Sequence, residues 1–348
     1  MAKSWTGFYV SFSGEKGDPS INQIYAVSPN GNILSRQVLD PAQTYDELRG
    51  MAFGPDGDLY VCQAKTAVSA ILRFNGAPPS GSSSLRQLGQ FVTPAASGGL
   101  VHPYQCIFSR DGNLYVSNQD SNVVSAFHGP GSETGTPGHA MANSTFLTAK
   151  YPNDTFFAGT FVPAYSAKPG IPPQTSVPPE EGGLTFTSSN GTQHSVRGIA
   201  FDTAGNLYVA DEAANRVCVF DSGGTCLGAI TGSPNHQLSN PVALCFDPKA
   251  GQRGSLYVGS PGNKRVFCYD ISRVASEDFT ASVLISDARL DKLSGIAVDP
   301  EGNVYTGDRK ARAIHKWNAH GNAEGELTAA FSDEPEQIIA VYGPIAGG

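Results

Sequence analysis

Residues 197–220, RGIAFDTAGNLYVADEAANRVCVF, decide the fold. They divide into three apolar runs, GIAF, NLYVAD and RVCVF, joined by TAGN and EAAN. Runs of four to six residues bounded by Gly, Asn and Asp are the pattern of short strands joined by tight turns. The phrase returns as RGMAFGPDGDLYVCQAKTAVSAILRF from Arg49 and YQCIFSRDGNLYVSNQDSNVVSAF from Tyr104. It appears again as VALCFDPKAGQRGSLYVGSPGNKRVFCY from Val242 and SGIAVDPEGNVYTGDRKARAIHKW from Ser294. Five copies at spacings of tens of residues predict a repeat architecture, and a four-stranded unit predicts a propeller.

The first 40 residues lack a GIAF-like strand but contain GFYVSF, NQIYAVSPNG and NILSRQV. The missing strand stands at the other end of the chain, as EQIIAVYG from Glu336. Pairing the two ends closes a ring and removes the exposed sheet edges. The expectation is therefore all-β: a six-bladed β-propeller of four-stranded antiparallel blades, one domain over residues 1–348, closed by N- and C-terminal strands in one blade. SLRQLGQFV is expected as the outer strand of blade two and TFFAGTFVPAY as that of blade three. Residues 129–195, rich in Gly, Pro, Ser and Thr, interrupt the rhythm as a long insertion in blade three. A loop of that length suggests a lid over the channel or disorder.

The repeat resembles the NHL type of propeller blade: a G-hydrophobic-A-hydrophobic-D strand, a turn, N-hydrophobic-Y-V-x-D, then an R-V-x-V-F strand. The resemblance spans nearly all the chain outside the insertion and speaks to architecture, since one fold hosts many chemistries. Six-bladed proteins of this kind include gluconolactonase-like hydrolases, strictosidine-synthase-like enzymes and peptide-amidating lyases. In size and low charge the chain is also similar to fungal propeller hetero-Diels–Alderases of tropolone-sesquiterpenoid pathways, though no motif marks that subgroup.

Charged residues make up 16%, against 40 Gly and 24 Pro, a composition of turns and short strands. The formal net charge of −8 argues against nucleic-acid and acidic-membrane partners, which need a basic surface, and no apolar run is long enough to span a bilayer. Three sequons, at Asn143, Asn153 and Asn190, fall in the insertion and lean the reading toward the secretory pathway, with cytoplasmic residence as the alternative. Cys218 and Cys226 flank one hairpin turn and are candidates for a disulfide; Cys62, Cys106, Cys245 and Cys268 read as buried thiols.

Ligands of propellers bind where the loops leading into the first strands converge. Aligning the repeats on Phe53, Phe108, Phe201, Phe246, Val298 and Val341 places Arg49, Tyr104, Arg197, Val242, Ser294 and Gln337 at that position around the ring. Unlike residues at equivalent places suggest a built site; the alternative is that the arginines pair with acids such as Asp46, Glu47 or Glu336. A second ring, at the end of the second strands, is Phe12, Gln63, Asn118, Asp211, Ser260 and Asp308. His102, His194 and His236 precede first strands, and His102 beside Tyr104 and His194 beside Arg197 are candidate proton-transfer groups. Arg49, Tyr104, Arg197, His102 and His194 are thus the candidate catalytic residues; Gln63, Asn118, Asp211, Ser294, Asp308 and Gln337 are the candidate substrate contacts. The lactonase resemblance implies a metal held by Glu, Asn and Asp on inner strands, which Glu15, Asn118 and Asp211 imitate only loosely. No metal and no cofactor is expected, and the turns GPDG, SRDG, DTAG and DPEG read as backbone turns, since the flanking helices and twelfth-position Glu of an EF-hand are missing. The reading is a small-molecule enzyme of the cyclase or lyase type working in the channel mouth. A binding scaffold for a protein or glycan, and a metal-dependent lactone hydrolase, are the alternatives.

Overall fold

A computed structural model describes residues 4–13, 22–93, 99–164, 177–185, 195–233, 236–250, 253–271, 282–328 and 331–348. The second strand of each repeat explains the architecture. In blade four it runs Leu207–Asp211, flanked by Val196–Phe201 on the inside and by Arg216–Phe220 and Cys226–Ile230 on the outside. Leu207 and Val209 pack toward blade three, against Val124 and Phe161, while Tyr208 and Ala210 pack toward blade five, against Val258 and Phe267. Successive side chains of a strand point to opposite faces, so a strand buried between two blades must be apolar at every position. That is why the LYV triplet reads as a continuous run rather than an alternation. Each large side chain so buried stabilises the seam by about 1.5–3 kcal/mol.

Six four-stranded antiparallel sheets form the ring. Blade two is Leu48–Phe53, Leu59–Gln63, Ala70–Phe74 and Gln87–Val92; blade three is Pro103–Phe108, Leu114–Asn118, Val123–Phe127 and Thr160–Val162. Blade five is Ala243–Asp247, Ser255–Ser260, Arg265–Asp270 and Ser282–Ser286; blade six is Leu293–Val298, Val304–Asp308, Ala313–Trp317 and Ala323–Glu326. Blade one takes Pro335–Tyr342 as its innermost strand, hydrogen-bonded to Trp5–Phe12, with Ile24–Val27 and Ile33–Ser35 outside. The ring is closed by the two ends of the chain, as the sequence predicts. Six apolar clusters fill the seams, and at the closing blade Phe8 and Val10 pack on Tyr305 and Ile314 of blade six while Tyr9 packs on Leu48 and Val61 of blade two.

The turns between first and second strands are joints. Asp202 Oδ1 accepts the amides of Ala204 and Asn206, at 2.8 and 2.9 Å, and its Oδ2 accepts the Tyr208 hydroxyl at 3.1 Å. The same Asp–Tyr bond recurs as Tyr60–Asp56 and Tyr305–Asp299, each 2.9 Å. These carboxylates are spent on turn geometry, as expected of backbone turns.

The outer strand of blade three is Thr160–Val162, inside the expected TFFAGTFVPAY. The described part of the insertion lies on the outer flank of blades three and four. Its short helix Thr145–Lys150 is tied to Gly223 through the Phe146 amide, and Leu184 N bonds Pro163 O at 2.8 Å. Residues 165–176 and 186–194, which hold the rest of the expected lid together with Asn190 and His194, lie outside the described residues. The expected disulfide is corrected by strand register: Cys218 faces Ala229, whereas Cys226 faces Phe220, and both thiols are free. No described helix is long and apolar enough to cross a membrane.

Candidate active site in the channel mouth

The inner strands are irregular at one place, and that place builds the site. In blade two, Arg49 and Gly50 lie between the pairs Leu48–Gln63 and Met51–Val61, where the neighbouring strand has only Cys62. In blade four Arg197 and Gly198 stand likewise against Ala210 alone. Tyr104, Ser294 and Glu336 are each an extra residue at the equivalent point of blades three, six and one. A bulge re-aims the side chain it carries. Five of six blades therefore bring one such residue to the channel mouth; blade five enters without a bulge, through Val242.

The mouth is a cavity of about 430 Å³ lined by Arg49, Tyr104, Arg197, Val242, Ser294 and Glu336, with Glu212, Asp291, Lys292 and Arg309 around them. Arg49 is buried and paired with the buried Glu336. The other oxygen of Glu336 takes Arg309 Nη2 at 3.2 Å and Ser13 Oγ at 3.0 Å. Arg197 Nη2 pairs with Glu212 at 2.6 Å, and its guanidinium carbon stands 5.4 Å from the centre of the Tyr104 ring, within cation–π range. Burial raises the Tyr104 hydroxyl above its ordinary value of 10.0, although Arg197 opposes the shift, so at neutral pH it is a phenol able to donate.

Two polar atoms of the mouth are left over. Arg197 Nη1 and Ser294 Oγ are both buried without a hydrogen-bond partner among the described residues. Leaving such groups unpaired costs about 1–3 kcal/mol each, which a ligand oxygen reaching them would recover. Below the mouth the channel narrows to a waist of about 10 Å³, room for roughly one water, bounded by Gly50, Gln105, Leu244, Gly295 and Gln337. Neighbouring blades meet there so closely that a Cβ on Gly50 would lie 2.5 Å from Gln105 Cα.

Four of the eleven candidate residues thus line the mouth together: Arg49, Tyr104, Arg197 and Ser294. Gln337 stands one level lower. Its Oε1 accepts Met51 N at 2.8 Å, as Gln105 Oε1 accepts Ile199 N at 2.9 Å, so Gln337 is the counterpart of Gln105 and Glu336 that of Tyr104. The pairing Ala340–Phe8 matches Phe108–Leu114, which makes Ala340, not Val341, the anchor of blade one. Glu336, anticipated only as a possible arginine partner, is the residue the alignment missed.

Asn118 is fully buried and donates to Val116 O, Val123 O and Ser125 Oγ while accepting from Val101 N. Asp211 accepts from Thr185, Ser195 and Arg216. Asp308 accepts the Lys310 and Ala311 amides and lies 3.0 Å from His315 Nε2, and Gln63 spans Asp46 N and Val68 O. These four are framework bonds at the strand ends rather than lining of the cavity. His102 stands beside the mouth, with φ +52° and its Nδ1 3.8 Å from Asp120, and does not line the cavity. His194 and Glu15 lie outside the described residues. Among the described residues no three His, Cys, Asp or Glu side chains gather as a cation site would need.

No family model and no curated protein matches this chain. Solved structures do match it in fold. The nidogen structure in complex with laminin is 14% identical, covering 97% of this chain and 99% of that one at a TM-score of 0.57. A gluconolactonase-like protein is 12% identical, covering 83% and 80% of the two chains at 0.50, and a catalytically inactive virginiamycin B lyase from Staphylococcus aureus with quinupristin is 11% identical, covering 93% and 85% at 0.50. The molecule is a six-bladed β-propeller, and these structures are similar to it in fold. Propellers of this fold include proteins bearing the names of lyases and lactonases.

Proposed function

We propose that this propeller is an enzyme acting on a small molecule held in the arginine-lined mouth, of the lyase or cyclase type. The observation that carries the reading is the pair of buried, unpartnered groups, Arg197 Nη1 and Ser294 Oγ, in one cavity with the Tyr104 phenol. Arg197 is held by Glu212 on one nitrogen and by the Tyr104 ring beneath it, so its free nitrogen is fixed before substrate arrives. Donors fixed in advance stabilise charge developing on a carbonyl oxygen without reorganisation at the moment of reaction. A carbonyl oxygen between Arg197, Tyr104 and Ser294 is polarised, which activates a conjugated system for ring closure or an adjacent bond for elimination. The mouth wall at Val242 and Leu293 orients the apolar part. A cycloaddition of the hetero-Diels–Alder kind, the finer reading drawn from resemblance, needs only this polarisation and orientation. Passage through the secretory pathway belongs to the same proposal: Asn153 of one sequon is exposed, whereas Asn143 is half-buried and accepts from Thr160 N at 3.1 Å.

The test is turnover of a panel of enone, quinone-methide and polyene pairs and of lactones by wild type and by Arg197→Ala, with and without chelator. Removal of one fixed donor is expected to lower kcat/KM by roughly 10²–10³-fold, with no effect of chelator. Binding without conversion of any compound would leave a ligand-binding propeller. Loss of turnover on chelation would move the chemistry to a metal.

A further inference from the structure

The far end of the channel is a different kind of surface. Beyond the waist it opens into a second cavity of about 530 Å³, walled by Ile107, Phe108, Phe201, Phe246, Ile296 and Ile339 with Tyr342 at the rim. This size is ordinary for a small-ligand pocket. None of the mouth arginines reaches it. Its floor holds two glutamines, Gln105 and Gln337, which bound both the waist and this cavity. Each spends its Oε1 on a backbone amide, Ile199 N at 2.9 Å and Met51 N at 2.8 Å. Those bonds fix the amide orientation, because only the oxygen can accept from an N–H, and so turn each Nε2 the other way. Neither Nε2 has a hydrogen-bond partner among the described residues, and Gln105 is 92% buried, its exposure being 8%. Two amide donors thus stand where the waist meets a cup whose wall is mostly apolar.

We infer that this cup is a second binding site, taking a neutral apolar ring compound whose one acceptor oxygen, a ketone or quinone carbonyl, meets the amides of Gln105 and Gln337. The charges argue for neutrality. Asp247 and Asp299 line the rim with one cation, Lys249, so an anion is disfavoured, in contrast to the arginine mouth. At the rim Asp299 is engaged on both oxygens, by Glu301 N, Asn303 N, Asn303 Nδ2 and the Tyr305 hydroxyl, and Asp247 on one, by Lys249 N, so the glutamines are the polar anchors of the floor. Apolar area supplies the affinity and the amides fix orientation.

The probe is prodan, a neutral naphthalene ketone whose emission moves to the blue in apolar surroundings. Titration of the full chain should give saturable, blue-shifted binding. Filling the cup by Ile107→Trp on blade three, or by Ala340→Phe on blade one, should weaken it at least tenfold, while Arg197→Ala in the other mouth should leave it within twofold. The propyl analogue lacking the ketone should compete about fivefold less well, the scale of one neutral hydrogen bond. Circular dichroism melts identify any variant that fails to fold, and the two fillers need not both survive. Absence of saturable binding overturns the inference. So does loss of binding in Arg197→Ala with retention in the folded filler, or equal competition by the two naphthalenes.

Discussion

Arg49 of blade two and Arg309 of blade six share one carboxylate: each pairs with a different oxygen of Glu336, on the strand that closes the ring between them. Glu336 and Arg49 are both under 10% exposed. Removing one partner of a buried pair leaves an uncompensated charge, a loss of about 3–5 kcal/mol. Glu336→Ala is therefore expected to lower unfolding stability by that amount in urea titration. A loss under about 1 kcal/mol would show that the pair is a surface-like contact rather than a joint of the ring.

Tyr104 offers a pH signature. Its hydroxyl is raised above 10.0 by burial, so it stays protonated throughout neutral and mildly alkaline pH. Once a substrate is in hand, kcat/KM should show no alkaline fall from this group below pH 10. Tyr104→Phe should cut turnover by about ten- to a hundredfold while keeping the ring that supports Arg197. An alkaline limb near pH 8 that vanishes in the Phe variant would contradict this placement.

Asp287 carries a separate pH dependence, in stability. Hydrogen bonds from the Arg289 side chain, foremost, hold its carboxyl at about 2, below the ordinary 3.8. Because the folded value is the lower one, the stabilisation is complete above about pH 4 and drains away as pH falls through about 2. The pair is partly exposed, so its worth is about 0.5–1 kcal/mol. Asp287→Asn should lose that at pH 7 and flatten the stability profile between pH 4 and 2; parallel profiles for the two proteins would refute it. Arg289 also lies 4.7 Å from the Trp317 ring centre, so Trp317 fluorescence reports on the same pair.

Gly50 tests how tightly the waist is drawn. A methyl there would fall 2.5 Å from Gln105 Cα and 2.7 Å from Tyr104 O, both backbone atoms that cannot swing aside. Gly50→Ala should destabilise by about 1–3 kcal/mol and also displace Tyr104, lowering turnover. A stability equal to wild type would mean that the inner strands slide freely.

The blades were legible because a strand buried on both faces writes itself as an apolar run, and LYV, LYV, LYV, LYV and VYT repeat that run at fixed offsets from a turn. Arg49, Tyr104, Arg197 and Ser294 were legible because four blades share that frame. The fifth bulge residue was not. Blade one carries the small Ala340 at the anchor position and the larger Val341 after it, so counting on side-chain size slips by one and lands on Gln337. Counting from the paired strand, where FYV of residues 8–10 stands in for LYV, reaches Glu336. Asn118, Asp211 and Asp308 read as a ring of polar groups, which they are; a single chain does not say that their bonds run back into the turns. The second cavity left no mark, because its glutamines look like any polar pair until their oxygens are seen to be engaged.

Closure by the two ends has a consequence for synthesis. Trp5–Phe12 is made more than 320 residues before its partner Pro335–Tyr342, as the Ser13–Glu336 separation of 323 records. At 5–20 residues per second the first blade waits roughly 15–65 s on the ribosome with its inner edge unpaired. For that interval the nascent chain presents a row of open amides and carbonyls beside Phe8 and Val10, a template for any passing strand. The propeller is thus completed only after its last blade emerges, when that edge meets its partner strand.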